Sequence, residues 1–228
     1  MTTLIRRPIL SFVTRQGRSS LAQKLAVGTH WEKYGLDAPN ETNPFDFSKI
    51  FNSNVAPILE IGFGMGHSLL QQAIASPNQP FIGIEVHQPG IGKLLNGIAK
   101  HDLKNLRIFR GNAIEILHQA IPDNSLKGLQ LFFPDPWPKT RHHKRRLVQT
   151  DFVNLVAQKL QLGGLLHMAT DWADYANHIK SVLTDHPLYQ ALTQNELEIL
   201  VLKRPKTKFE NRGLQLGHSI SDLAYVKL

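Results

Sequence analysis

The 228-residue chain contains no cysteine. Disulfides and thiolate metal sites are therefore excluded, and a reducing compartment suits it. No apolar run approaches the roughly 18 residues needed to cross a bilayer, so no membrane partner is expected. Acidic residues are few, 18 against 26 Lys and Arg, giving a net charge of +8. None occurs before Glu32, whereas Arg6, Arg7, Arg15, Arg18 and Lys24 do. Such a surplus points to a polyanionic partner, most simply nucleic acid. The acid-poor start, rich in Arg and Ser, reads as an organelle transit peptide or as a flexible basic arm over residues 1–35 that follows an RNA backbone. The arm agrees better with a chain that is basic elsewhere too.

Neither internal repeats nor low-complexity tracts are present. Residues 36–57, rich in Asn, Pro and Asp, look like the approach to a domain, and 36–228 is long enough for one α/β core. From Ile58 onward strands and amphipathic helices alternate. Strands are expected from Ile58, over Phe81 to Ile84, Leu106 to Phe109, Leu129 to Phe133, Leu165 to Ala169, Leu197 to Leu202 and Leu223 to Leu228. Helical spacing links the earlier ones, and a helix over Thr150 to Leu160 is expected to end near Gly163-Gly164. Alternation of this kind implies an α/β fold: a mostly parallel, seven-stranded sheet with helices on both faces, binding its ligand at the carboxyl ends of the strands.

The most informative stretch is Glu60-Ile61-Gly62-Phe63-Gly64-Met65-Gly66. A buried strand opens there into a loop of bare backbone. A dinucleotide site would place its third glycine one residue later, where His67 stands. The carboxylate at the loop mouth repels phosphate and suits a cationic or hydroxyl-bearing ligand. S-adenosylmethionine carries an ammonium and a sulfonium and lacks phosphate. Glu85 closes the second strand and can accept from both ribose hydroxyls of a nucleoside. Asn112, after the third, could pair with an adenine edge, and reads equally as a helix N-cap.

After the fourth strand comes Phe133-Pro134-Asp135-Pro136-Trp137-Pro138-Lys139. Three prolines stiffen the backbone around Asp135 and Trp137. Lys139, Arg141, Lys144, Arg145 and Arg146 follow, a cation run beside an aromatic, as for a stacked base with phosphates nearby. His142 and His143 are adjacent, a spacing poorly suited to sharing a metal, and no metal is expected. A second polar cluster runs from Lys203 to Gly213. Glu210 there could accept both donors of a guanine Watson–Crick edge; Asp171, after the fifth strand, is its rival, and simple neutralisation of nearby cations is the plain alternative.

Together these segments resemble the bacterial tRNA (guanine-N7-)-methyltransferase family. The matches are Glu-Ile-Gly-Phe-Gly-Met-Gly at 60–66, Gly-Ile-Glu-Val at 83–86, Phe-Pro-Asp-Pro-Trp-Pro-Lys at 133–139, His-His-Lys-Arg-Arg at 142–146, Thr-Asp-Trp at 170–172 and Thr-Lys-Phe-Glu-x-Arg-Gly at 207–213. The resemblance implies a Rossmann-like class I methyltransferase, cytoplasmic, using S-adenosylmethionine on a guanosine of the tRNA variable loop. It implies cofactor contacts from Glu60, Gly62, Gly64, Gly66, Glu85, Asn112 and Asp135, with Asp135 also the catalytic position. Lys139, Asp171, Thr207, Lys208, Phe209 and Glu210 would bind guanosine, and Arg141, His142, His143, Lys144, Arg145 and Arg146 would touch RNA. Asn112 stands where many relatives have Asp, an exchange that keeps an acceptor. An amino-group methyltransferase of adenine or cytosine and a non-catalytic RNA-binding module on the same fold are the competing expectations.

Overall fold

A computed structural model describes residues 11–12, 19–39 and 42–228 of the chain, apart from the side chains of Lys203 and Lys208. Among the described residues there are eight strands, β1 (Gly35–Leu36), β2 (Ile58–Ile61), β3 (Phe81–Glu85), β4 (Leu106–Arg110), β5 (Leu126–Phe132), β6 (Leu160–Thr170), β7 (Tyr189–Ala191) and β8 (Ser221–Lys227). They form one sheet in the order β1-β4-β3-β2-β5-β6-β8-β7, in which β8 alone runs against its neighbours. The chain leaves β2 toward β3 and β4, then returns to the other side of β2 as β5. That reversal beside β2 is where an open α/β sheet leaves a crevice at its strand ends.

Alternate strand residues face opposite layers. Leu59, Ile61, Ile82, Ile84, Leu129 and Leu131 join a core with α5 (Ala113–Gln119), α6 (Thr150–Lys159) and α7 (Ala173–Leu183). Phe81, Leu106 and Ile108 join a second core with α1 (Leu21–Tyr34), α3 (His67–Ala75) and α4 (Gln88–Lys100). The elements α2 (Phe47–Phe51), α8 (Gln194–Lys203) and α9 (Lys208–Gln215) complete the helices, with a 3₁₀ segment at Thr140–Arg145.

Five features depart from the sequence expectation. The sheet has eight strands and not seven, because Gly35–Leu36 adds a short parallel edge strand beside β4. Leu197–Leu202 is not a strand but part of α8, because Thr193 and Glu196 form a reciprocal capping box that starts a helix. The strand expected there is instead the three-residue β7, anchored by the buried Tyr189, whose hydroxyl donates to the Val153 carbonyl (2.9 Å). Gly163-Gly164 does not end α6. The chain passes from Lys159 directly into β6, and the glycines lie within that strand, Gly163 at φ +73°. Finally, residues 21–34 of the expected arm are helix α1, seated on α4. A Cβ at Gly92 of α4 would lie 2.3 Å from the Gln23 carbonyl oxygen, so the two backbones meet only because that residue is glycine. Arg6, Arg7, Arg15 and Arg18 lie outside the described residues.

Candidate active site

The loop after β2 turns through three left-handed glycines, Gly62, Gly64 and Gly66, at φ +73°, +56° and +72°. Gly66 is the N-cap of α3, and a Cβ there would strike Leu94 at 2.8 Å. Gly64 is held from the opposite side. A Cβ at Gly90, in the first turn of α4, would fall 1.8 Å from the Gly64 carbonyl oxygen. Among the described residues, Gly62 has nothing within 4 Å of a Cβ position, and Gly64 has only Phe209, at 3.9 Å. That open side faces a cavity of about 390 Å³.

Strand ends supply its walls. Glu85, at the end of β3, accepts from Gly64 N–H through Oε2 (2.7 Å), and from Val86 and His87 N–H through Oε1 (2.7 and 3.0 Å). Three backbone donors thus fix the carboxylate, and lone pairs remain toward the cavity it lines. Asn112 lines the cavity too and caps α5, its Oδ1 accepting from Ile114 N–H (3.1 Å) while its amide donates to Glu115 (2.9 Å). The N-cap reading is thus observed, on a residue that also faces the cavity. Apolar walls come from Ile61, Ile84, Leu131 and Phe132, and Ser11 and Phe12 join them from the far end of the sequence.

Glu60 is placed differently from the expectation. It does not line the cavity but lies buried in β2 between Gly83 and Gln130, and its Oε2 has no hydrogen-bond partner among the described residues. Burial, with the nearby Glu85 charge adding to it, pushes its carboxyl up to about 8. An orphaned acid, a fixed second carboxylate and open glycine backbone form an acceptor set without a cation. That set fits a ligand bearing an ammonium and hydroxyls and opposes one bearing phosphates. Among the described residues, no group of three or more His, Asp or Glu is arranged to hold a metal.

Asp135 lines the same cavity from the segment after β5, and its side chain is exposed. The segment is strained and braced. Phe133 and Trp137 are both left-handed, at φ +54° and +46°. Phe133 N–H donates to the Ala169 carbonyl (2.7 Å), Trp137 Nε1 to the Ser11 carbonyl (3.1 Å), and Arg146 Nε to the Pro136 carbonyl (2.9 Å). The Arg145 guanidinium covers one face of Trp137 at 4.0 Å, and His142 meets that ring edge-on. Lys139, Arg141 and Lys144 are exposed. Desolvation, with the surrounding cations, lowers the His142 pKa.

Two expected RNA contacts turn inward. The Arg146 side chain is 1% exposed and binds Asp174 and the Pro136 carbonyl, so its charge braces the loop and does not face solvent. His143 stands between Arg146 and Asp174. On the second polar cluster, Thr207 and Glu210 form a capping box that starts α9. Glu210 is buried, with Oε2 taken by Arg204 Nη1 (2.7 Å), so one of the two carboxylates considered for reading guanine is committed to an internal ion pair. Asp171 keeps partial exposure, packed against Gly213 and 3.5 Å from His218. Phe209 reaches the cavity. The arrangement therefore gathers Gly62, Gly64, Glu85, Asn112, Asp135 and Phe209 around one space, and leaves Glu60, Gly66, Lys139, Asp171 and Glu210 off its wall. Ser11 and Phe12 were not expected here, and no spacing or motif around them signals a role; Arg204 stands in the polar cluster from Lys203 to Gly213, where nothing in the sequence marks it as the buried cation.

A family model described as "Putative methyltransferase" matches residues 55–223. The tRNA (guanine-N7-)-methyltransferase of Nitrosococcus oceani is 52% identical over 96% of this chain and 91% of its own length. That of Pasteurella multocida is 49% identical over 97% of this chain and 87% of its own. Among solved structures, the 16S rRNA methyltransferase KamB superposes with a TM-score of 0.56 at 14% identity, covering 83% of this chain and 96% of that one, a likeness of fold. Sequence kinship across nearly the whole length, on a sheet whose glycine loop and Asp135 share one cavity, places this chain in the tRNA (guanine-N7-)-methyltransferase family.

Proposed function

We propose that this protein transfers a methyl group from S-adenosylmethionine to N7 of a guanosine in the tRNA variable loop. The observation that carries the reading is the single cavity running from the open glycine backbone and Glu85 to Asp135. Gly62, Gly64, Glu85 and Asn112 would hold the cofactor, which supplies an electrophilic methyl on a sulfonium, with Glu60 buried in β2 just before the glycine loop. The N7 atom already has a free lone pair, so no proton has to leave it. Asp135 then serves by position and charge: its carboxylate favours the positive charge that passes onto the purine. Its rigid setting between two left-handed residues keeps that charge in place.

N7 lies in the deep groove of A-form RNA, out of reach of side chains, so the target base has to be splayed out. Lys139, Arg141 and Lys144, exposed beside the cavity segment, would hold the flanking phosphates with the arginines of the N-terminus. Asp171 is the carboxylate left to face the base, since Glu210 is paired internally. A tRNA substrate agrees with work in the cytoplasm, the compartment this reading assigns. The deciding experiment incubates the protein with labelled cofactor and unmodified tRNA and identifies the product nucleoside. 7-Methylguanosine is expected. A methylated adenine or cytosine would mark an amino-group enzyme, and tRNA binding without turnover would mark a binding module; either refutes the proposal.

A further inference from the structure

One buried cation joins four elements behind the cavity. The Arg204 side chain is 3% exposed. Its Nη1 donates to Glu210 Oε2 (2.7 Å), and its Nε and Nη2 fork onto the two oxygens of Asp222 (3.0 and 3.1 Å). Asp222 Oδ1 also lies 2.9 Å from His167 Nε2. The guanidinium stands 5.3 Å from the ring centre of Phe132, which in turn meets His167 edge-on at 5.0 Å. Glu210 belongs to α9, Asp222 to β8, His167 to β6, and Phe132 ends β5 and lines the cavity. A forked, charge-assisted network of this kind fixes orientation as well as distance.

Its consequence falls on the neighbouring side chain. Glu210 is drawn inward by Arg204 and closes the capping box through Thr207 N–H (3.3 Å). The preceding residue in the first turn of α9 is Phe209, which is 58% exposed and forms cavity wall against Gly64. We propose that Arg204 is a positioning residue for methyl transfer: forked between Asp222 and Glu210 and stacked on Phe132, it sets the first turn of α9 so that Phe209 closes the cavity against the Gly62–Gly66 loop. This rests on the reading of that cavity as the cofactor site. Glu210 then acts through Arg204 and Phe209 on the cofactor, and not by contact with guanine.

The test separates these roles by measuring S-adenosylhomocysteine binding calorimetrically without RNA, and kcat and KM for tRNA alongside. Glu210→Ala and Phe209→Ala are each expected to weaken the RNA-free binding about tenfold, the loss of part of one aromatic contact. The double variant should be no worse than either single, because one turn of helix carries both effects. Arg204→Met should match them, Arg204→Lys should recover part of the loss, and KM for tRNA at saturating cofactor should stay within twofold. The inference is overturned if Glu210→Ala and Phe209→Ala bind the product like the wild type. It is equally overturned if Glu210→Ala changes only tRNA use. Should Arg204→Met fail to fold, those two variants decide alone. A wild-type protein that binds no S-adenosylhomocysteine would instead remove the proposed function itself.

Discussion

Replacing Glu60 by Gln should make the ligand-free protein more stable, and increasingly so as pH rises. Its carboxyl ordinarily titrates at 4.5 and is raised to about 8 in the fold, chiefly by desolvation. Between those values the folded protein holds a proton that the unfolded chain has released. Stability therefore falls as pH climbs through this window and levels off above it. Each pH unit is worth about 1.4 kcal/mol, so the window bounds the loss at about 5 kcal/mol. Water entry and relaxation reduce such penalties, and about 2–3 kcal/mol is the expected figure. For a chain of this length that is about 5–10 °C in Tm. The assay is thermal melting of both proteins at pH 5.5 and pH 8.5, reading the change in their difference so that titrations common to both cancel. A difference constant within a degree would mean that Glu60 is ionised and accommodated, and the reasoning from its orphaned oxygen would be wrong. The same residue gives a second readout. At pH 7 a group titrating near 8 is about nine-tenths protonated. If it ionises against the ammonium of the cofactor, calorimetry in buffers of different ionisation heat should detect release of nearly one proton, absent in Glu60→Gln.

Asp135→Asn should lower the rate of methyl transfer by about 10²–10³ through loss of electrostatic positioning. A pH–rate step near neutrality that disappears in the variant would make Asp135 a general base instead. Gly90→Ala should abolish cofactor binding and cost on the order of 1–3 kcal/mol, since its Cβ has only 1.8 Å to the Gly64 carbonyl oxygen; a variant with normal cofactor titration would show that the loop moves freely. Affinity for tRNA should drop steeply with salt, and each neutralisation among Lys139, Arg141 and Lys144 should flatten the log–log slope by about 0.7–0.9. An unchanged slope for Arg141→Ala or Lys144→Ala would remove that residue from the RNA surface.

The central sheet was legible because apolar runs and helical spacing alternate without interruption from Ile58 to Leu183. What escaped follows from physics that periodicity does not carry. Helix α1 buries only Ala26 and Tyr34 and docks by backbone contact at Gly92, so it shows almost no apolar stripe. Its one written signal is the Ser20–Gln23 capping box. The same signal at Thr193–Glu196 was outweighed by the apolar run that follows, although Ile199 and Leu202 are exposed. At the site, residue type and order located Glu85, Asn112 and Asp135 on one cavity. They could not tell an outward charge from an inward one. Arg146 and Glu210 sit among cations in the sequence, and only the folded chain shows each side chain buried in an ion pair, Arg146 with Asp174 and Glu210 with Arg204.

Phe133 and Trp137 each hold a backbone conformation that side-chain-bearing residues avoid, and each stands directly before a proline. A conformation of this sort costs about 1–3 kcal/mol per residue. Glycine at Trp137 would relieve that tension, releasing the indole tether to the Ser11 carbonyl in the same change. Thermal tolerance and turnover are thereby set in opposition at one short stretch of chain, and variants selected for heat resistance should accumulate there at the expense of speed.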